Sequence, residues 1–136
     1  MENSAGYREL EHTADWELEV WAPDFLTLLE QAARGMYALS GARCQAGTVE
    51  SRKFSLRSTD RETLLVSFLA ELLYYQERDN LMFDTFSLTL EGEMLQVGLQ
   101  GACLAGLDKE IKAVTYHNLR LVHTGRGLEA RIVFDV

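Results

Sequence analysis

The fold is decided by the stretch WELEVWAPDFLTLLEQAARGMYAL, residues 16–39, in which one periodicity gives way to another. Its first six residues alternate apolar and polar side chains, which is typical of a half-buried β-strand. From residue 25 onward the apolar side chains recur every three or four positions, which predicts an amphipathic helix over residues 25–39. Asp24 is placed to cap the start of this helix and Gly41 to end it. The stretch therefore predicts a strand followed directly by a helix.

The same two periodicities continue toward the end of the chain. Thr59 and Glu62 have the spacing of a capping box, and the leucines behind them predict a second helix that runs to about Gln76. Period-two alternation predicts strands over residues 7–11, 49–57, 83–90, 94–104, 111–123 and 128–134, with turns at 91–93 and 125–127. This order of elements predicts a single α+β domain over residues 1–136, with two helices packed on one face of a largely antiparallel sheet.

Composition narrows the classes of function. The chain has 136 residues, and its 21 acidic and 13 basic side chains give a net charge of −8. Direct nucleic-acid binding needs lysine and arginine to displace counterions, so we expect no stable binding of this kind. An acidic surface suits divalent cations or a basic protein partner. The alternative is that the charge serves only to keep the protein soluble.

The sequence also indicates the cellular location of the protein and the redox state of its cysteines. No apolar run approaches the roughly 20 residues of a membrane span. The N-terminus lacks the basic and apolar regions of a signal peptide, so we expect a cytoplasmic protein without a membrane partner. Cys44 and Cys103 lie far apart and form no CxxC pair, which argues against a zinc knuckle and predicts reduced thiols.

The pentapeptide EHTAD, residues 11–15, concentrates polar side chains between two predicted strands and is the strongest local candidate for a site. Its last residue, Asp15, has a counterpart in Asp135 at the end of the final predicted strand. The terminal carboxylate of Val136 lies beside Asp135. Such oxygen ligands suit a hard divalent cation such as calcium or magnesium. The alternative is that each aspartate is simply a solvated residue at a strand end.

Lys112 is a further candidate, within the β-rich segment IKAVTYH at residues 111–117. A lysine there could neutralise the two aspartates or contact a phosphate or an acidic partner. The alternative is an ordinary lysine on the outward face of a strand.

The sequence supplies no complete set of catalytic parts. The three histidines, His12, His117 and His123, do not form an HxxxH pattern, and a zinc hydrolase site or a Cys–His pair has no local motif in its favour. Phosphate-binding glycine loops and serine-nucleophile motifs are absent as well. A protein that binds rather than catalyses is therefore expected, and a metal-dependent hydrolase stays open as an alternative.

Four blocks in order resemble the archease family: EHTAD (11–15), LLVSFLAELLY (64–74), IKAVTYH (111–117) and the closing VFDV (133–136). The resemblance spans nearly the whole chain. It implies a compact α+β domain that assists an RtcB-type tRNA-splicing RNA ligase. It also implies that the protein promotes GTP-dependent guanylylation and multiple turnover of that ligase, as a protein cofactor and not as the enzyme itself.

The resemblance carries over to particular residues. It implies a metal site, with calcium as the ion, at Asp15, Asp135 and Val136. It matches Lys112 to a lysine important for activation of the ligase, together with Asp15 and Asp135. The alternative function is a general chaperone, or an adaptor for RNA-modifying proteins, that uses its acidic face only for binding.

Overall fold

The computed structural model describes residues 4–10, 16–47 and 49–136 of the chain. Its elements are β1 (Gly6–Leu10), β2 (Trp16–Ala22), α1 (Phe25–Ser40), β3 (Arg43–Cys44), β4 (Glu50–Arg57), α2 (Arg61–Asp79), β5 (Leu81–Glu91), β6 (Met94–Gly106), β7 (Ala113–Val114), β8 (Val122–Thr124) and β9 (Gly127–Asp135). The predicted α+β class is confirmed. In the described ranges, no helix is long and apolar enough to cross a membrane.

The strands form two antiparallel sheets, where the sequence predicted one. In the first sheet β2 lies between β1 and β9, and both β7 and β8 pair with the other edge of β9. In the second sheet β6 pairs with β4 and β5 and, near its end, with β3. Because both edges of β6 and of β9 are occupied in this way, each of these long strands is the centre of its own sheet.

The first helix begins and ends as predicted. The carboxylate of Asp24 accepts a hydrogen bond from the Thr27 amide at 2.8 Å, and Gly41 ends the helix with a left-handed φ of 69°. The second helix is capped by Asp60, whose carboxylate accepts from the Glu62 amide and the Thr63 hydroxyl.

The predicted capping box of Thr59 and Glu62 is therefore wrong. The Glu62 carboxylate instead accepts a hydrogen bond from the Leu121 amide at 3.0 Å, a contact between residues far apart in sequence. The helix also continues past Gln76 to Asp79, where Asn80 ends it with a left-handed φ of 57°.

The predicted long strand over residues 111–123 is also wrong. Only Ala113–Val114 and Val122–Thr124 pair with β9. Between them the Leu119 amide bonds to the Tyr116 carbonyl, and Asn118 adopts a left-handed φ of 53°. This local turn breaks the extended backbone despite the β-branched and aromatic residues around it.

One hydrophobic core joins the two helices and the two sheets. Fully buried side chains come from every layer, among them Leu28 of α1, Phe68 of α2, Leu95 of β6 and Phe134 of β9. The end of β9 and the loop before β7 are thereby held against a rigid body, which is what positions the candidate site.

Of the two glycines at the β8–β9 turn, we expect only Gly127, the first residue of β9, to tolerate no side chain. Its φ is +95°, and an added Cβ would lie 2.5 Å from the Ala22 carbonyl oxygen, whereas one on Gly125 would meet no atom within 4 Å. We expect Gly127→Ala to lower the free energy of unfolding by about 1–3 kcal/mol. Urea denaturation should show Gly125→Ala close to the parent; equal losses in the two variants would contradict this explanation.

Candidate functional site

The predicted site lies partly within the part of the chain that the structure describes. Asp15 and the rest of the pentapeptide at residues 11–15 fall outside the described residues, and the description resumes at Trp16. Lys112, Asp135 and Val136 are all described.

Lys112 and Asp135 lie next to each other. The Lys112 amide donates a hydrogen bond to the Asp135 carbonyl oxygen at 2.8 Å, and the adjacent Ala113 pairs with Asp135 across β7 and β9. Both side chains are exposed, while Val136 is half-buried against the core. Backbone pairing therefore places Lys112 beside Asp135, one of the predicted metal ligands, at the same end of the first sheet.

The start of β2 reaches the same end of the first sheet, on the other side of β9 from β7. Trp16 pairs with Phe134, the residue before Asp135. The Lys109 ammonium lies 4.9 Å from the centroid of the Trp16 ring, within range of a cation–π interaction. Three chain segments thus meet here: the beginning of β2, the end of β9 and the loop that leads into β7.

Of the predicted metal ligands, the structure describes Asp135 and Val136. The carboxylate of Asp135 is of the oxygen-donor type that hard cations prefer, and it accepts no hydrogen bond from any described residue. Within residues 4–10, 16–47 and 49–136, no group of three or more His, Cys, Asp or Glu side chains could hold a metal. Asp15 lies outside that range.

A cleft of about 470 Å³ opens beside Lys112. It lies between the last turns of α2 and the loop before β7, and is lined by Leu73, Gln76, Glu77, Asn80, Leu104, Leu107, Glu110, Ile111 and Lys112. The Leu104 amide donates to the Asn80 carbonyl at 2.7 Å, and the Asn80 side chain donates to the Leu104 carbonyl at 3.2 Å. These reciprocal bonds fix one wall of the cleft. The periodicity of the sequence did not predict this cleft, because its lining comes from three separate segments: the end of α2, β6 and the loop before β7.

The thiols and histidines do not form a catalytic pair in the described residues. Cys44 is exposed, and desolvation by neighbouring groups, followed by the charge of Asp84, raises the pKa of its thiol. A reactive thiol needs the opposite shift. His117 and His123 are exposed, and His117 lies beside the Asn118 amide at 3.2 Å. His12 is outside the described residues.

A charged cluster that the sequence did not reveal lies on the outer face of the first sheet. Glu19 is buried, with 6% of its surface exposed, although it is an acid. Three arginines, one from β1, one from the β8–β9 turn and one from β9, surround it: Arg8 at 2.8 Å, Arg126 at 3.4 Å and Arg131 at 3.9 Å. A carboxylate so deeply buried requires such partners.

Arg126 joins this cluster to a second acid. Its guanidinium lies 2.7 Å from Glu129 and 4.1 Å from the centroid of the Trp21 ring. Hydrogen bonds from Arg126, and then from the Thr124 hydroxyl, hold the pKa of Glu129 below its ordinary value of 4.5. The turn between β8 and β9 is thereby attached electrostatically to the face of β2.

This lowered pKa makes a small part of the stability dependent on pH. The contribution should be fully present above pH 4.5 and be lost as the pH falls through the lowered pKa of folded Glu129. Glu129→Gln should therefore be less stable than the parent near neutral pH, by at most about 1 kcal/mol, because the Arg126 guanidinium that pairs with Glu129 is exposed to solvent.

The measurement is urea unfolding at several pH values. The difference between Glu129→Gln and the parent should shrink as the pH falls through the lowered pKa of folded Glu129, because a protonated glutamic acid and a glutamine are both neutral. Glu93→Gln is the control, because Glu93 is exposed and forms no ion pair with any described residue. A difference that stays constant over the whole range would show that the Glu129 charge is not the cause.

Comparison with known proteins places these features in a family. The family model described as the archease protein family (MTH1598/TM1083) matches residues 7–136. The protein archease of Methanosarcina barkeri is 30% identical over 139 residues, covering 96% of this chain and 95% of that protein. The protein archease of Methanosarcina mazei is 32% identical over 140 residues, with the same two coverages.

Solved structures agree in fold. The solution structure of Methanobacterium thermoautotrophicum protein 1598 has a TM-score of 0.74 and 23% identity, covering 96% of this chain and 99% of that one. A Thermotoga maritima crystal structure, described as an archease and possible chaperone, has a TM-score of 0.69 and 22% identity, covering 95% and 96%. Because the family model covers nearly the whole sequence, this chain belongs to the archease family.

Proposed function

We propose that this chain activates an RtcB-type RNA ligase, promoting its GTP-dependent guanylylation and its multiple turnover in tRNA splicing or RNA repair. Membership of the archease family supports a role as a protein cofactor of the ligase and not as an enzyme. The observation that carries the proposal is the meeting of Lys112 and Asp135 at one sheet edge, through the 2.8 Å bond between the Lys112 amide and the Asp135 carbonyl. The site residues in this proposal are Asp15, Lys112 and Asp135.

The chemistry assigned to these residues is electrostatic. Lys112 is exposed at the rim of the cleft and can offer its ammonium to an anionic group of the docked ligase. Asp15, Asp135 and Val136 would hold a divalent cation, which we propose to be calcium. When bound, that cation supplies positive charge that offsets repulsion among the carboxylates. The covalent step, transfer of GMP, stays with the ligase.

The acidic balance of the chain supports a basic partner. A net charge of −8 would accelerate encounter with a positively charged ligase surface, at a rate that falls with added salt. In this proposal the complex forms in the cytoplasm and involves no membrane.

Removing the ammonium of Lys112 should weaken activation of the ligase. In an assay of covalent GMP transfer to the cognate ligase at substoichiometric archease, we expect Lys112→Ala to stimulate at least about tenfold less, the cost of one charge-assisted hydrogen bond. Asp15→Asn and Asp135→Asn should lose activity similarly. Lys53→Ala is the matched control, since Lys53 is an exposed lysine on β4 of the second sheet.

Two results would contradict different parts of the proposal. Absence of any stimulation by the parent protein would reject the function. Full stimulation by Lys112→Ala and Asp135→Asn, with Lys53→Ala also active, would reject the site while leaving the function in place.

Calcium binding should depend on the two ends of the proposed site. Titration calorimetry should show binding to the parent that is weakened at least about tenfold in Asp135→Asn, as expected for loss of a ligand. A Gly-Ser extension appended after Val136 should weaken it too, because the extension moves the terminal carboxylate away. Glu93→Gln, an exposed acid at the β5–β6 turn, should bind as the parent does. Equal binding by all four proteins would exclude calcium from this edge.

A second candidate function is a general protein chaperone. It is favoured by the description of the Thermotoga maritima relative as a possible chaperone. Suppression of the aggregation of an unrelated heat-denatured enzyme, without stimulation of the ligase, would support it. Stimulation of the ligase that Lys112→Ala abolishes, without any protection of the unrelated enzyme, would exclude it.

A further inference from the structure

Around Glu19 and Glu129, the outer face of the first sheet exposes guanidinium groups and shields the two carboxylates. The side chains of Arg8 and Arg131 are 64% and 63% exposed, whereas that of Glu19 beneath them is 8% exposed. Arg126 is 41% exposed above Glu129, which is 19% exposed. Although the whole chain is acidic, this face therefore presents guanidinium groups to the solvent.

A groove of about 210 Å³ lies within this face. It runs between β9 and the segment that leads into β8, and is lined by Glu19, Asn118, Arg120, Val122, Glu129, Ala130 and Arg131. Its two carboxylates already have close partners outside the groove, since Arg8 lies 2.8 Å from Glu19 and Arg126 lies 2.7 Å from Glu129. The acids of the groove are thus largely neutralised before any ligand enters.

The two arginines of the groove keep free donors. Arg120 is exposed and forms no ion pair with any residue in the described ranges. The only ion pair of Arg131 within those ranges is the 3.9 Å approach to Glu19, which is too long for a hydrogen bond. Asn118, which adopts a left-handed φ, also lines the groove; its side-chain amide lies 3.2 Å from the His117 ring and has a second N–H that can donate to a ligand.

We propose that the groove of Asn118, Arg120 and Arg131 binds a terminal phosphoryl group. Two guanidinium groups and an amide supply several donors around one small groove, which suits the three terminal oxygens of a phosphate monoester better than the two of a carboxylate. The small volume suits a compact anion and not a folded partner. The phosphoryl group can belong to a free nucleotide or to an RNA end. The proposal is independent of ligase activation and of Lys112.

The first test is titration of the labelled full chain with inorganic phosphate, followed by amide chemical shifts at constant ionic strength. We expect saturable shifts around residues 118–122 and 129–132. Arg120→Ala should weaken binding about tenfold, the loss of one charge-assisted contact. Arg57→Ala is the matched control, because Arg57 is an exposed arginine on the second sheet with no ion pair to any described residue.

Arg131 needs a conservative variant, because it also approaches Glu19. Arg131→Lys keeps a positive charge near Glu19 but lacks the planar fork that binds two oxygens. It should remain as stable as the parent in thermal unfolding and still bind phosphate more weakly. Shifts that do not saturate, that acetate reproduces at the same ionic strength, or that Arg57→Ala weakens as much as Arg120→Ala would overturn the proposal.

Two further ligands identify the source of the phosphoryl group. An RNA dinucleotide with a terminal phosphate that binds more tightly than GTP would assign the groove to an RNA end, and the reverse order would assign it to a nucleotide. Either order supports the groove. A dinucleotide that binds equally well with and without its terminal phosphate would overturn the proposal.

Discussion

The register between β2 and β9 is the constraint on which the rest of the structure depends. It pairs Trp16 with Phe134 at one end and Ala22 with Leu128 at the other. Because side chains alternate between faces, this register directs Leu18 into the core and Glu19 toward the outer arginines. A slip of one residue would exchange the two faces and place Glu19 in the apolar core. The same register brings the start of β2 to the edge where Asp135 meets Lys112.

Features set by neighbours in sequence could be predicted, and features set by distant partners could not. The first helix was predicted at both ends because Asp24 and Gly41 act within one turn of it. The partner of the Glu62 carboxylate was assigned wrongly because it bonds to Leu121, whose proximity no local spacing reveals. The cap at Asp60 is a local feature that the prediction nevertheless placed one residue too early. The strand predicted over residues 111–123 was too long. The β propensity of its residues favours an extended backbone but does not reveal the turn at Asn118.

The candidate sites show the same division. Lys112 and Asp135 could be named from sequence blocks, but their adjacency follows from the pairing of β7 with β9. The arginine cluster around Glu19 was missed because its members come from β1, the β8–β9 turn and β9. In the sequence each of them resembles an ordinary surface residue: Arg8, Arg126 and Arg131. The only local signal was Glu19 itself, an acid in the alternating strand. The alternation predicts that its side chain faces outward, but it does not predict that the side chain is buried.

The distance in sequence between β2 and β9 also sets an order of events during folding. The second sheet can begin as the β5–β6 hairpin, whose strands are joined by the two-residue turn at Gly92 and Glu93. The centre of the first sheet must wait until residues near the two ends of the sequence meet, and closing so long a loop is entropically costly and slow. The arginine face around Glu19 is built on that late contact, because Arg131 reaches Glu19 only when β9 pairs with β2. This face therefore exists only on a folded chain, and a ligand bound to it would select against partly folded forms.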